Sequence, residues 1–303
     1  MRMQIFLMTV LLAAFPLVAQ DEPGGAETEV FDGVPDFEES AGVTRRPGEV
    51  PALFRDDSRL DDNHANQELG INVYTAPSIS KIFDQLDNLP AIPEPYVLRD
   101  RAENLPTDTG SLAIEMGYLM ADGFIAVRSG HMNDIKPIAL DLTRFGKAIG
   151  VGEKMNAHSA GLLENAEKGK LEEFKRLLAS TQSDVNEELA AMRDPDLAHL
   201  LAMGGWVRAL DAAAAAIEQK FDAQQAAAIF YPDAPAYFGE ILTYLNPKTA
   251  KKLHVAELCR LLNLLTEQMQ LAPGELPTPE QVRSVHETTL RISTICVGEG
   301  HEH

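Results

Sequence analysis

Two carboxylates seven residues apart, Glu115 and Asp122, interrupt an apolar stretch of the chain. Seven residues are two helical turns, so both side chains leave one face of a predicted helix. Buried together in an apolar setting, such a polar pair can have raised pKa values and perform acid–base work. Alternatively, this face meets water or pairs with Lys136, Arg144 or Lys147 of the next helix. The pattern favours this second interpretation, because ion-pair networks perturb carboxylates as readily as active sites do.

A second type of chemistry is metal binding. His254 and Glu257 are one helical turn apart, a spacing that can bind a metal ion. The pair is similar to the Gly-x-His-x-x-Glu motif of imelysins, which are helical iron-associated envelope proteins, but Lys252 stands at the glycine position. His301 and His303 could hold a metal loosely, yet a site needs three or four ligands and a frayed terminus supplies two imidazoles. We therefore expect no metal and no other cofactor.

The chain has two cysteines, Cys259 and Cys296, on or beside the apolar stripes of consecutive predicted helices. If these helices form a hairpin about residues 274–275, Cys296 lies six residues, roughly 9 Å, beyond the level of Cys259. A disulfide needs Cα atoms within about 7 Å, so a bridge requires a skewed loop, and buried free thiols are the favoured alternative. Two cysteines exclude a disulfide-rich scaffold, a four-cysteine zinc site and an iron–sulfur cluster.

Composition excludes further classes of function. The 303 residues are 45% apolar, and 46 acidic against 26 basic residues give a net charge of −20. Such acidity argues against binding nucleic acid or anionic lipid, since both require basic patches. The sequence contains no G-x-S-x-G or H-E-x-x-H motif. A protein that is not an enzyme is therefore favoured, although a site assembled from scattered residues stays open.

The N-terminus predicts export. Arg2 precedes an apolar run from Ile5 to Ala19, which ends in small residues and meets a polar segment, the pattern of a signal peptide over residues 1–19. Residues 20–66 form an acidic segment in which apolar residues occur singly, and such a segment is expected to be a disordered linker. Residues 298–303 are expected to be a flexible tail. The compartment predicted is the periplasm or the exterior.

Residues 67–297 show helical periodicity and almost no strand signal. The expected fold is all-α, an antiparallel helical bundle with a disordered acidic N-terminal segment. Apart from four longer segments with apolar stripes in the second half of the domain, the spacing and stop signals predict helices at Lys81–Leu89, Ser111–Val127, Asn133–Ile149 and Glu153–Glu167, and an extended stretch at Ala91–Leu98.

The second of these helices is the most apolar, and it is predicted to lie at the centre of the bundle. Ala113, Gly117 and Ala121 fall on one stripe and permit close approach of another helix. The helix is not expected to span a membrane, because Glu115 and Asp122 interrupt a run of fewer than 20 apolar residues.

The segment Ala-Ile-Glu-Met-Gly-Tyr-Leu-Met-Ala-Asp at residues 113–122 resembles the A-x-x-x-G-x-x-x-A-D helix of exported all-helical bacterial envelope proteins of uncharacterised function. In those proteins a proline-serine segment precedes the helix, as Pro77-Ser78 does here. A further helix ends in a turn similar to Ala148-Ile149-Gly150-Val151. The resemblance spans about residues 71–151 and implies a helical fold in the cell envelope, with no activity or site residues.

Three functions are compatible with these features. The favoured one is an exported, non-catalytic helical protein of the bacterial cell envelope that binds or scaffolds an unidentified protein or small-molecule partner. The alternatives are a metal- or haem-binding helical bundle and an enzyme with no recognisable motif. No nucleic-acid partner and no transmembrane span after signal cleavage are expected.

Overall fold

The computed structural model describes residues 89–100, 104–192 and 194–297, and these residues form eleven helices and no strand. The predicted all-α helical bundle is confirmed. The predicted signal peptide, the acidic linker and the C-terminal tail with His301 and His303 lie outside the described residues. In chain order the helices are α1 (Glu94–Val97), α2 (Thr109–Ser129), α3 (Met132–Ile149), α4 (Gly152–Glu167), α5 (Leu171–Ala191), α6 (Pro195–Gln219), α7 (Ala223–Ala227), α8 (Asp233–Thr243), α9 (Pro247–Ala250), α10 (Val255–Gln268) and α11 (Pro279–Val297).

Helices α2 and α6 form the centre of the bundle. Apart from isolated charged residues, both helices are apolar on every side, which is the pattern of a helix that is buried all round. Every residue from Leu112 to Val127 and from Leu200 to Ile217 is buried. Each helix is long and apolar enough to cross a membrane, which by itself is weak evidence for a span; the most apolar windows are 94% and 100% buried inside the protein.

The two central helices touch backbone to backbone. A Cβ atom added to Gly117 would lie 2.0 Å from the carbonyl oxygen of Leu201, and one added to Gly204 would lie 2.2 Å from the carbonyl oxygen of Ile114. No side chain fits in either position, so glycine is required on both sides of the crossing. The predicted close helix approach at Gly117 is confirmed.

The remaining helices pack on two sides of this centre. On one side α3 packs against α2, α4 against α3, and α5 against α4, α2 and α6. On the other side α10 packs between α8 and α11, and α11 packs on α6 and α2. The connections after α2, α3 and α4 are two or three residues long, so each of these helices packs against the next one in the chain. In the α10–α11 hairpin, Oε1 of Glu257 lies 3.6 Å from Nη2 of Arg291. This register is close to the one expected for a hairpin centred about residues 274–275.

Local capping signals explain where α2 begins and where α2 and α3 end. The Asp108 side chain caps α2 by accepting a hydrogen bond from the backbone N–H of Ser111 at 2.9 Å. Helices α2 and α3 both end at glycines in the left-handed region, Gly130 with φ 77° and Gly150 with φ 100°. The helices predicted at Ser111–Val127 and Asn133–Ile149 thus begin and end within two residues of α2 and α3.

The prediction of an extended stretch over Ala91–Leu98 is wrong in its second half, where α1 forms. Pro95 lies in the first turn of this helix, where a missing N–H costs no hydrogen bond. Four residues make too short a helix for periodicity to reveal. Of the helix predicted at Lys81–Leu89, only Leu89 is described, and it is not helical.

Candidate functional site

Six ionisable side chains from four parts of the chain meet inside the bundle, and we call them the charged cluster. All are at most 8% exposed. A buried charge without a partner is costly, so each member must be matched by an opposite charge or a hydrogen bond. The members are Arg99, which follows α1, Glu115 and Asp122 of α2, Arg208 and Asp211 of α6, and His286 of α11.

Arg99 joins the two carboxylates that the sequence singled out. Its Nε lies 2.5 Å from Oδ2 of Asp122, and its Nη2 lies 2.6 Å from Oε1 of Glu115. The guanidinium carbon also lies 5.2 Å from the ring centroid of Tyr118, which sits between the carboxylates along α2. Glu115 and Asp122 are thus brought together by an arginine from outside their helix.

The favoured sequence interpretation of these carboxylates is wrong, because their face of α2 does not meet water. The predicted basic partners lie on the outer side of α3 instead. Lys136 pairs with Glu167 at 2.8 Å, and Arg144 pairs with Asp141 at 3.2 Å. Lys147 is exposed. The physical reason is that α2 is enclosed, so its charges can be reached only by arginines that are themselves buried.

Arg208 connects the rest of the cluster. Its Nε lies 2.8 Å from Oδ1 of Asp122, and its Nη1 lies 3.1 Å from Oδ2 of Asp211. Its Nη2 donates to the carbonyl oxygens of Tyr96 at 2.7 Å and Val97 at 3.2 Å. One buried side chain therefore ties α1 to both central helices.

The cluster reaches the surface along α11. His286 Nε2 lies 3.5 Å from Oδ1 of Asp211, and Nδ1 lies 2.7 Å from Oε2 of Glu218. Glu218 in turn pairs at 3.2 Å with Arg283, whose side chain is 54% exposed. A continuous line of charged groups therefore runs from the centre of the bundle to its surface.

The two carboxylates on α2 have opposite pKa shifts. Burial raises the pKa of the Glu115 carboxyl, against the opposing attraction of Arg99. Burial acts in the same direction on Asp122, but the guanidinium groups of Arg99 and Arg208 outweigh it and lower the pKa of that carboxyl. The difference follows from the number of cations, since two arginines hold Asp122 and one holds Glu115.

Two carboxyl groups whose pKa values are shifted apart are the arrangement that acid–base catalysis uses, but access to this pair is narrow. A cavity of about 50 Å³ is lined by Leu98, Arg99, Asp122, Asp134 and Ile138. That volume holds a few water molecules, whereas ligand pockets usually measure about 300–1,000 Å³. Glu115 does not line the cavity, so only Asp122 faces it from this pair.

The predicted metal-ligand pair on α10 is engaged otherwise. His254 is exposed at the N-cap position, and Glu257 binds Arg260, with 2.8 Å between Oε2 and Nε. In the part of the chain that the structure describes, no three His, Cys, Asp or Glu side chains are grouped so that they could hold a metal ion. The geometry therefore brings no further ligand to His254 and Glu257.

Cys259 and Cys296 are free thiols, so the disulfide considered from the sequence is not formed. The Cys259 thiol donates to the carbonyl oxygen of Gly239 at 3.6 Å, on the α8 side of α10. The Cys296 thiol lies on the α2 side of α11, where burial and then the charge of Glu115 raise its pKa to about 12. The two side chains point to different neighbours, as the offset along the hairpin predicts.

Four members of the charged cluster were not predicted from the sequence: Arg99, Arg208, Asp211 and His286. Arg208 and Asp211 did carry a signal, because they interrupt an otherwise apolar helix, as Glu115 and Asp122 do in α2. Charged residues within two apolar helices imply that the charges of one helix pair with those of the other. Arg99 carried no such signal, since it lies outside the long helices.

No protein-family model, curated protein or solved structure matches the chain. What the charged cluster does is therefore inferred from its geometry and chemistry alone.

Proposed function

We propose that the protein is an exported, non-catalytic helical protein of the bacterial cell envelope that binds or scaffolds a partner, with the charged cluster fixing its internal architecture. The observation that supports this most is the commitment of Arg208 to partners in its own chain. Of its five N–H donors four have an acceptor there: Nε and Nη1 each bind a carboxylate, and Nη2 binds a pair of backbone carbonyls. A buried group committed in this way holds elements of the fold together.

The charge balance of the cluster supports the same role. Counted in their charged forms, Arg99, Arg208 and His286 match Glu115, Asp122 and Asp211 in number, so the enclosed set has no net charge. Networks of this kind are retained where they specify one arrangement of the core. Here the arrangement is the position of α1 and the residues after it on α2, α6 and α11.

Export is supported by the sequence alone, through Arg2 followed by the apolar run that ends at Ala19. The partner is proposed to be a protein or a small molecule, because the net charge of −20 disfavours nucleic acid and anionic lipid. The external surface, with exposed apolar side chains such as Leu140 and Leu276, is where such a partner is met.

The full-length chain, expressed with a C-terminal tag in a bacterial host, tests the proposal. A photo-crosslinking amino acid at Leu140 or Leu276 reports contacts in the living cell. We expect a protein in the envelope fraction that begins at Gln20, with a discrete crosslinked adduct from at least one position. A cytoplasmic protein that retains Met1 contradicts export, and adducts at neither position contradict partner binding through these surfaces.

The same crosslinking assay distinguishes a charged cluster that only supports the fold from one that itself acts on the partner. Glu115→Gln keeps the size and an acceptor for Arg99, so the variant is expected to fold and to retain the adduct. Loss of the adduct at unchanged melting temperature would make the cluster itself the site of action. Stoichiometric metal or a visible haem band in the purified protein would instead select the metal- or haem-binding alternative.

A further inference from the structure

His286 lies where three elements meet, and both of its ring nitrogens face carboxylates. From α6, Oε2 of Glu218 lies 2.7 Å from Nδ1, and Oδ1 of Asp211 lies 3.5 Å from Nε2. From α1, the ring of Tyr96 lies 5.1 Å away between centroids. His286 itself is 5% exposed.

The other charged groups near this junction have partners of their own. On α11, Arg283 pairs with Oε1 of Glu218. On α6, Arg208 pairs with the second oxygen of Asp211. From α10, Glu257 reaches α11 through Arg291 and not through His286. The groups that decide the protonation of His286 are therefore Asp211 and Glu218.

Only the imidazolium form of His286 presents an N–H to both Asp211 and Glu218. A neutral imidazole has one N–H and one lone pair, so one nitrogen would present its lone pair to a carboxylate oxygen. If that nitrogen is Nε2, its lone pair faces the buried Oδ1 of Asp211 at 3.5 Å, an oxygen that has no hydrogen-bond partner among the described residues. If it is Nδ1, the lone pair meets Glu218 at 2.7 Å. Either tautomer leaves the cluster one positive charge short.

We propose that His286 is a pH-sensitive latch, which as an imidazolium holds α11 and α1 on α6 and which loosens this junction when it loses its proton. Arg208 extends the effect to α1, because it bonds both Asp211 and the carbonyl oxygens of Tyr96 and Val97. The latch goes beyond the proposed function, since it depends neither on export nor on a partner.

The direction of the pH dependence follows from the two carboxylates. Burial would lower the pKa of His286, but Asp211 and Glu218 outweigh burial and raise it. A histidine with a raised pKa in the folded state stabilises the fold fully below its unfolded pKa of about 6.5, and the contribution is lost as the pH rises through the folded value. Between these values the unfolding equilibrium constant is expected to rise by up to about tenfold per pH unit.

Amide hydrogen exchange of the full chain tests the latch. In the wild-type protein, protection of α11 and of residues 89–100 should fall above neutral pH by more than the intrinsic pH effect on exchange. His286→Gln should abolish this additional fall. The matched control is His158→Gln, because His158 faces a carboxylate through Nε2 alone, Oδ2 of Asp184 at 2.5 Å, and the control should behave as the wild type. An additional fall that persists in His286→Gln, or that is absent from the wild type, overturns the proposal.

Histidine hydrogen–deuterium exchange mass spectrometry decides the matter even if His286→Gln does not fold, because it follows the titration of each imidazole in its own peptide. The expected midpoint for His286 in the wild-type protein lies above about 6.5. Glu218→Gln, at the exposed end of the line, should shift this midpoint downward. A midpoint at or below about 6.5 in the wild type, or no shift in Glu218→Gln, overturns the proposal.

Discussion

Replacing Gly117 by alanine should destabilise the protein, although alanine is the better helix former. The new Cβ would lie 2.0 Å from the Leu201 carbonyl oxygen and 2.7 Å from the Gly205 nitrogen, and both are backbone atoms of α6. Ordinary contact begins at 3.4 Å, so α2 and α6 would have to separate by about 1.4 Å along their crossing. Backbone atoms inside helices cannot turn away as a side-chain end can.

The expected magnitude combines two opposing effects. Overpacking usually costs 1–3 kcal/mol, and a rigid backbone contact belongs at about the upper end of that range. The higher helix propensity of alanine stabilises the protein by up to about 1 kcal/mol relative to glycine. We therefore expect the free energy of unfolding to fall by about 2 kcal/mol or more in Gly117→Ala.

Gly239 in α8 provides the matched control. A Cβ there would meet Asn263 at 3.4 Å and Leu262 at 3.7 Å, which is ordinary contact. Gly239→Ala should therefore stabilise the protein, by up to about 1 kcal/mol. Urea unfolding of both variants measures the two effects, provided that each transition is two-state. A Gly117→Ala variant as stable as the parent would refute the backbone contact between α2 and α6.

Two further predictions concern caps and thiols. Asp108→Ala removes the side-chain acceptor at the start of α2 and should lower the free energy of unfolding by about 1 kcal/mol, measured by urea unfolding; an unchanged value would contradict the cap. Thiol titration of the denatured, unreduced protein should count both Cys259 and Cys296. In the native protein a thiol reagent should label the half-buried Cys259 before Cys296, because the pKa of Cys296 is raised to about 12. Finding no titratable thiol, or equal native rates, would contradict the described environments.

The bundle could be predicted from the sequence because its signals are local. Apolar stripes predict the helices of the outer layers, and caps such as Asp108 before α2 and Gly150 after α3 mark helix ends. The small-residue stripe around Gly117 identified α2 as a central helix, because a helical glycine in an apolar setting needs a compensating close contact. Each of these features is decided within a few helical turns of sequence.

The charged cluster could be predicted only in part, because its pairing is long-range. The spacing of Glu115 and Asp122 showed that they share a face, but the enclosure of that face depends on α6 and α11. Arg99 and Arg208 are separated by over a hundred residues and meet at Asp122. Nothing near Arg99 in the sequence indicates that its side chain is buried, since burial there is created by helices elsewhere in the chain.

The central claim is that the charged cluster holds the fold together, and Asp122→Asn tests it most directly. The substitution leaves the two buried arginines at Asp122 short of one negative charge, and breaking a buried pair costs about 3–5 kcal/mol. Glu167→Gln breaks the exposed pair with Lys136 and serves as the control, for which no measurable change is expected. In urea unfolding we expect the free energy of unfolding to fall by about 3 kcal/mol or more in Asp122→Asn alone. An Asp122→Asn variant that unfolds at the same urea concentration as Glu167→Gln and the parent would contradict the central claim.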